Sequence, residues 1–335
     1  MRTYRFFSVD EQVKTLESRG MVIGDKDRAK SFLLNNSYFN VVTAFEDFVL
    51  EGPSEERYRN GVRFSDFVCL YEFDASLRIL LFKYLLEIEG HLKTHLAYEF
   101  CKAYGPFDYL NLSTYNANGE NDARYASEFV SFLEGLIESY AWRNDMVRHF
   151  LADGCGQVPL WALVNVLDFG TLRKFYANVN SNVANSISKK YYSLSSRSLQ
   201  SMVSSLNVWR NLCAHGNSLI RFRLKDYTKQ ICDTSLHRLL GIPKAGLYYS
   251  CGKRDFFSIV ICLKYMLPEE DFLDFLNGLE NEIVLLKKGL ALSPIDLDVV
   301  LKGMGLPIFN EGEMEPALKK LRTLSLHDLQ SADLR

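Results

Sequence analysis

The chain has 335 residues with a formal net charge of −2 at pH 7, and 47 % of its residues are hydrophobic. This length and apolar content allow a sizeable core, organised as one large domain or two, and the small net charge excludes nucleic-acid binding through overall charge alone. Seven cysteines without a C-x-x-C pair argue against a disulfide framework and a zinc finger, and no apolar run is long enough to span a bilayer, so we expect a cytoplasmic protein.

Residues 1–60 are predicted to form an N-terminal helical segment. Ser8 is a good N-cap for a first helix, because Glu11 three residues later completes a capping box. Asp25 and Asp27 are the two candidates for the start of a second helix. The chain is therefore expected to begin with two short helices.

The longest predicted helix extends from about residue 65 to residue 103. Its apolar residues recur at steps of three and four, namely Leu77, Leu81, Tyr84, Leu85, Ile88, Leu92 and Leu96. This spacing predicts an amphipathic helix that forms one wall of a bundle. His91 and His95 are four residues apart, as metal ligands on one helix face can be, but no third ligand motif supports them and we expect no metal. A polar surface contact, a nucleic-acid contact and support of a cleft are the alternatives.

Two helical regions follow in the middle of the chain. One helix is predicted over about 122–153, and another begins at 159 and is interrupted at 169–171 before it continues to 179. Their aromatic residues are assigned to the core, with stacking on bases as the alternative: Trp161, Phe169, Phe175 and Tyr176. Further helices are expected over 235–242 and 253–302. Because alternating strand patterns are essentially absent, the predicted fold class is all-α.

A helix that ends in an Arg-Asn-x-Cys-Ala-His string is predicted from residue 196 to residue 215. One stripe of this helix is apolar, formed by Leu199, Met202, Val203, Leu206, Trp209 and Cys213. Gly216 is the expected stop, since glycine readily takes the left-handed conformation that closes a helix. His215 therefore falls in the last turn, where exposed carbonyls and the helix dipole favour a positive charge.

Arg210, Asn211 and His215 form a candidate phosphate site at this helix end. Asn211 and His215 share one face, whereas Arg210 falls inside the apolar stripe, where a guanidinium must be paired or must face a cleft or a partner surface. The alternative is purely structural, with His215 capping the helix carbonyls and Arg210 paired with a buried acid such as Glu87 or Glu89. Both interpretations remain open at this point.

A positively charged block surrounds the same helix. Between residues 189 and 229 there are eight basic residues and one acidic residue, Asp226. A local positive field of this kind suits a phosphate backbone, and a solvated surface is the alternative. The candidate RNA-binding residues are Lys189, Lys190, Arg197, Arg221, Arg223, Lys225 and Lys229.

The string at 210–215 resembles the R-x(4–6)-H signature of HEPN domains. The chain is similar in particular to the Abi-like family of bacterial abortive-infection proteins, of the AbiD/AbiF type. Other segments carry the same resemblance, namely 16–21, 71–74, 87–94, 104–106, 159–161, 169–172 and 304–307. The resemblance thus covers roughly residues 10–310.

This resemblance implies a HEPN-type helical core over 61–230, extended by residues 1–60 and by a C-terminal helical region, 231–335, packed on the core. It also implies a homodimer in which two signatures face each other and cleave RNA without a metal ion or cofactor. We then expect His215 to be the acid and base, Arg210 to stabilise the phosphate and Asn211 to orient the histidine or bind phosphate. Cys213 is expected to pack, because no other group is spaced to activate it.

The leading functional prediction is therefore a toxic endoribonuclease of phage defence. The main alternative is a noncatalytic RNA-binding protein that holds a small structured RNA, with the basic block as its principal feature. A protein–protein module that needs a partner for toxicity is the third possibility.

Overall fold

Helices form almost all of the secondary structure. The computed structural model describes residues 5–52, 55–116, 119–153, 156–192, 194–225, 229–307, 315–325, 328–329 and 331. In chain order its α-helices are α1 (Val9–Ser18), α2 (Lys26–Asn36), α3 (Phe64–Tyr104), α4 (Glu120–Arg143), α5 (Asp145–Ala152), α6 (Leu160–Leu163), α7 (Phe169–Asn178), α8 (Ser181–Ser188), α9 (Ser196–Ala214), α10 (Ser235–Leu239), α11 (Phe256–Met266), α12 (Glu269–Gly289), α13 (Leu297–Gly303) and α14 (Glu315–Thr323). The predicted all-α fold class is confirmed.

Short elements connect these helices. They are a π-helix at Phe39–Thr43, 3₁₀-helices at Glu46–Phe48, Asp108–Leu110 and Leu112–Thr114, and an antiparallel hairpin of two-residue strands, β1 (Lys244–Ala245) and β2 (Tyr248–Tyr249). None of the helices in the described ranges is both long and apolar enough to cross a membrane.

The predicted start of the chain is confirmed in its detail. The Ser8 hydroxyl accepts from the Glu11 amide at 3.3 Å, and the Glu11 carboxylate accepts from the Ser8 amide at 2.8 Å, so the capping box is complete. Asp25 caps α2 by accepting from the Arg28 amide at 2.9 Å. Both helices therefore begin where a short polar side chain satisfies amides that lack an intrahelical partner.

Helix α3 is the element on which the others are assembled. It has 41 residues, about 60 Å at 1.5 Å per residue, and it packs against α12, α8, α9, α6 and α7. Its predicted apolar stripe is fully buried, from Leu77 to Leu96. The boundaries proposed at residues 60 and 230 remain a prediction.

Two predictions for the middle of the chain are wrong. The helix expected over 122–153 is divided into α4 and α5, because the Asn144 side chain accepts from the Val147 amide at 3.2 Å and starts a new helix. The expected interruption at 169–171 is instead the first turn of α7, whose Thr171 amide donates to the Asp168 carboxylate at 2.6 Å. In both places a capping side chain overrides the apolar periodicity.

The assignment of Trp161 to the core is also wrong. Phe169, Phe175 and Tyr176 are buried as expected, but Trp161 is 56 % exposed. Helix α6 has only four residues, and it turns Leu160, Ala162 and Leu163 inward. The tryptophan therefore remains on the outer surface.

Helix α9 is held by its apolar stripe and by one large anchor. Trp209 is completely buried, with its ring 5.1 Å from that of Phe222 and 6.2 Å from that of Phe256. The helix packs against α3, α7, α8 and α11. It ends before Gly216, whose φ of +68° is the left-handed conformation that the sequence predicts.

A buried carboxylate on α3 fixes the chain that leaves α9. The Asp74 side chain accepts from the amides of Leu219 and Ile220 at 2.7 and 3.1 Å and from the Ser218 hydroxyl at 3.1 Å. It also forms an ion pair with Arg78, one turn along α3. Burial raises the pKa of Asp74, while Arg78 and the amide donors act in the opposite direction. This cluster holds the segment that follows the helix end carrying His215.

We predict that Asp74→Ala destabilises the fold by about 3–5 kcal/mol, because it leaves Arg78 without its counter-charge and two buried amides without an acceptor. The matched control is Asp47→Ala, which removes an exposed carboxylate paired with Arg221 and should cost less than about 1 kcal/mol. Urea unfolding followed by circular dichroism measures both values. Equal losses in the two variants would show that the Asp74 cluster does not secure the loop.

Candidate functional site

Asn211 and His215 lie on the surface at the carboxyl end of α9. Both side chains are exposed, and the His215 amide donates to the Asn211 carbonyl at 3.0 Å. His215 is the C-cap residue of α9. Its ring therefore lies beside the last backbone carbonyls of the helix, which have no intrahelical partner. The amide and the imidazole are therefore open to a ligand from solvent.

Arg210 occupies a different environment, against α3. Its side chain is 28 % exposed, and its Nε lies 3.8 Å from Oε2 of the buried Glu89. The guanidinium carbon is 5.9 Å from the centre of the Phe82 ring. Of the two acids considered from the sequence, Glu89 is the one that Arg210 meets. Glu87 lies near Asp271 instead, and burial together with that second carboxylate raises the pKa of Glu87.

The pairing of Arg210 is incomplete. Neither its Nε nor Glu89 Oε2 makes a hydrogen bond in the part of the chain that the structure describes. Glu89 also pairs through Oε1 with Lys93 at 2.9 Å, so one carboxylate serves two cations. A surplus of positive charge thus remains on Arg210 and Lys93, and an anion can interact with it.

The three candidate catalytic residues lie at the same end of α9, but their side chains do not come together within one chain. Successive residues of a helix are turned by about 100°, so Arg210 lies toward α3 while Asn211 and His215 face solvent. No hydrogen bond or ion pair joins Arg210 to His215 among the described residues. A ligand that contacts all three must therefore bridge the two environments.

Cys213 is situated as a packing residue. Its thiol is partly buried, and burial raises its pKa to about 12. The thiolate is the nucleophilic form of cysteine, and at neutral pH this group is protonated. The environment of Cys213 therefore does not activate it.

The rings of His91 and His95 on α3 are inclined to each other by 29°, with ring centres 6.5 Å apart. His95 Nδ1 is 3.0 Å from the hydroxyl of Tyr191, and burial lowers the pKa of His95, with Lys190 adding to the effect. Across the described ranges, no three or more His, Cys, Asp or Glu side chains are grouped so that they could hold a metal ion. His95 thus serves as a polar contact between α3 and the segment after α8.

The predicted RNA-binding residues lie in several different places. Lys190 pairs with Glu99 at 2.9 Å, and Arg221 pairs with Asp47. Arg197 is at the start of α9, about 27 Å along the helix from His215 at 1.5 Å per residue. Arg223 is half-buried, and that burial lowers its pKa.

The other three residues of this set, Lys189, Lys225 and Lys229, are exposed. Asp226, the one acid of the block, lies outside the described residues. The RNA-binding assignment of the seven residues stays a prediction.

Four side chains to which the sequence analysis gave no functional role support the site. Asp74 with Arg78 positions the loop after His215, and Glu89 with Lys93 positions Arg210. The available signal was an acid followed four residues later by Arg or Lys, in Asp74–Arg78 and in Glu89–Lys93. Only Glu89 was considered from the sequence, as a structural partner.

Comparison with known proteins identifies a family for this chain. A scan against protein families matches residues 31–221 to the family described as Abi-like protein. The match covers more than half of the chain and includes α3, α9 and the Arg210, Asn211 and His215 positions. Searches of curated proteins and of solved structures find no match. The chain belongs to the Abi-like family of abortive-infection proteins.

Proposed function

We propose that this protein is a phage-defence endoribonuclease that cleaves RNA without a metal ion and acts as a homodimer. The observation that carries the proposal is the end of α9, where exposed His215 and Asn211 adjoin an arginine whose charge is only partly balanced. In this mechanism His215 transfers protons, Arg210 stabilises the phosphate and Asn211 orients the histidine or binds phosphate.

The reaction needs groups of this kind. A base removes the proton of the 2′-OH, the 2′-oxygen bonds to phosphorus, and the bond from phosphorus to the 5′-oxygen breaks as an acid protonates that oxygen. Imidazole suits both proton transfers near neutral pH. The guanidinium of Arg210 suits the non-bridging oxygens, on which negative charge develops. The products are a 2′,3′-cyclic phosphate and a 5′-hydroxyl.

A homodimer supplies the two proton-transfer groups that the reaction requires. One imidazole cannot accept and donate a proton in the same step, so a second copy of the chain supplies the second His215. The surface beside Arg210 suits such pairing, because Ile79 and Leu86 are 75 % and 46 % exposed on α3, on either side of Phe82. Such apolar side chains together on one helix face are typical of an interface.

Noncatalytic RNA binding is the second candidate. The contact between Arg210 and buried Glu89 favours it, because this is the partner that a structural role for Arg210 requires. Exposed Lys189 and Lys225 then contribute to binding of a structured RNA through its phosphates.

We predict that the wild-type protein cleaves RNA in EDTA and leaves 2′,3′-cyclic phosphate ends. His215→Ala should lower the rate roughly 100- to 10,000-fold through loss of acid–base catalysis. Arg210→Ala should lower it roughly 100- to 1,000-fold through loss of charge stabilisation. Gel analysis of total RNA and tRNA, with mapping of the end groups, measures these changes.

The matched control is His149→Ala, which removes another exposed histidine near a helix C-terminus, that of α5. It should cleave like the wild type. If the wild type binds RNA but is as inert as the variants, the nuclease proposal is wrong and noncatalytic binding takes its place.

We predict that Ile79→Glu combined with Leu86→Glu converts the dimer to a monomer, since four buried carboxylates at the interface would be unpaired. Leu292→Glu, at an exposed leucine outside this face, is the control and should leave the dimer intact. Sedimentation velocity gives the mass of each species. A wild-type protein that sediments as a monomer at all concentrations contradicts the homodimer.

A further inference from the structure

A groove of about 770 Å³ runs along α3 beside α6. Its lining comes from the exposed face of α3 between Gly90 and Lys102 and from Trp161, Val164 and Asn165. This volume lies within the range of small-molecule sites in proteins. The floor is apolar, because Ala97 and Val164 are buried beneath it. The groove is therefore large enough for a nucleobase with its sugar.

Two exposed aromatic side chains border this groove. Trp161 and Tyr98 are each more than half exposed, and both line the cavity. The Trp161 ring is perpendicular to that of Phe150 at 5.5 Å, so a neighbouring side chain supports it on one side. An aromatic ring that is both exposed and held in place stacks on a base at little cost in conformational entropy.

The charge of the groove is complementary to phosphate. Lys93 and Lys102 are its only charged lining residues in the described part of the chain, and no carboxylate is among the lining side chains. Lys190, which is paired with Glu99, holds its ammonium over the face of Tyr98, 5.5 Å from the ring centre. Aromatic faces interspersed with lysines are typical of proteins that bind single-stranded nucleic acid.

One carboxylate of α3 links the groove to the signature helix. Lys93 lines it and pairs with Glu89, and the same Glu89 is the partner of Arg210. The surplus positive charge of these two cations over one carboxylate thus extends from Arg210 into the groove. A strand whose phosphate meets Arg210 can continue along α3 toward Lys102.

We propose that this groove is a nucleobase subsite for a single-stranded segment of RNA, with one base stacked on Trp161 and the adjoining phosphates on Lys93 and Lys102. The identification of the strand as RNA rests on the proposed function, whereas the stacking and charge of the groove are properties of the described side chains. The subsite selects unpaired RNA, because a base within a duplex presents no face for stacking.

The test is binding of a fluorescein-labelled 2′-O-methyl oligouridylate, which lacks the 2′-OH and cannot be cleaved by the proposed reaction. Fluorescence anisotropy with the full chain should show that Trp161→Ala raises the dissociation constant roughly 5- to 150-fold, the range expected for loss of one stacked base. Trp142→Ala is the matched control, since it removes an 86 % exposed tryptophan outside the groove, and it should bind like the wild type.

A second pair of variants tests the phosphate contact. Lys102→Ala should reduce the slope of the logarithm of affinity against the logarithm of salt concentration by about 0.7, the value for one contact to a single strand. Lys287→Ala, at an exposed lysine of α12, should leave the slope unchanged.

Tryptophan fluorescence tests the stacking directly. In a Trp142→Phe background, Trp161 is the exposed tryptophan that remains, and the oligouridylate should quench its fluorescence.

The outcomes separate the two proposals. The subsite is overturned if Trp161→Ala and Lys102→Ala bind the oligouridylate with wild-type affinity, or if the oligouridylate does not quench the fluorescence of Trp161. This holds even if His215→Ala abolishes cleavage. Weaker binding by Trp161→Ala, with no cleavage by the wild type, supports the subsite and removes the nuclease. A change in sedimentation of Trp161→Ala with unchanged RNA affinity overturns the subsite, because the groove would then be a contact between copies of the chain.

Discussion

The buried carboxylate of Asp74 is the constraint on which the site depends. Helix α9 brings Arg210 and His215 to its end, but the direction of the chain after Gly216 is determined by the Leu219 and Ile220 amides that donate to this one side chain. A charge without solvent contact is tolerated only when it is fully hydrogen-bonded and paired, and Arg78 completes that requirement. The same helix, α3, then supplies Glu89 to Arg210. The two sides of the candidate site are thus positioned by one rigid element.

Electrostatics and packing have separate roles around the signature. Trp209 and the apolar stripe pack α9 onto the core, which leaves the exposed face of the helix to Asn211 and His215. On the side of α9 that lies toward α3, Glu89 is shared by Lys93 and Arg210, so neither cation is fully neutralised. An arginine in this position is held in place and still attracts an anion. A structural role and a functional role for Arg210 are therefore compatible in a single geometry.

Local sequence signals predicted much of this fold. The Ser8 and Glu11 capping box, the long apolar periodicity of α3 and the stop at Gly216 depend on interactions within a few residues, so they are readable from the chain. Asn144 and Asp168 were missed as caps because apolar residues on both sides continue a helical period through them. Trp161 was misplaced because composition favours burial of tryptophan, and its exposure follows from the shortness of α6. The roles of Asp74 and Glu89 involve residues more than a hundred positions away, which no local pattern encodes.

The unbroken length of α3 has a consequence for how a bound RNA strand would be positioned. Asp74, Glu89 and Lys102 lie on one helix without a kink-forming proline, so their separations are set by 1.5 Å per residue, about 42 Å from the first to the last. Helices α6 and α9, which carry Trp161 and Arg210, both pack on α3, so a base at Trp161 and a phosphate at Arg210 would be held at a constant separation. The helix would then define where along a strand the scissile bond lies, independently of the sequence of that strand.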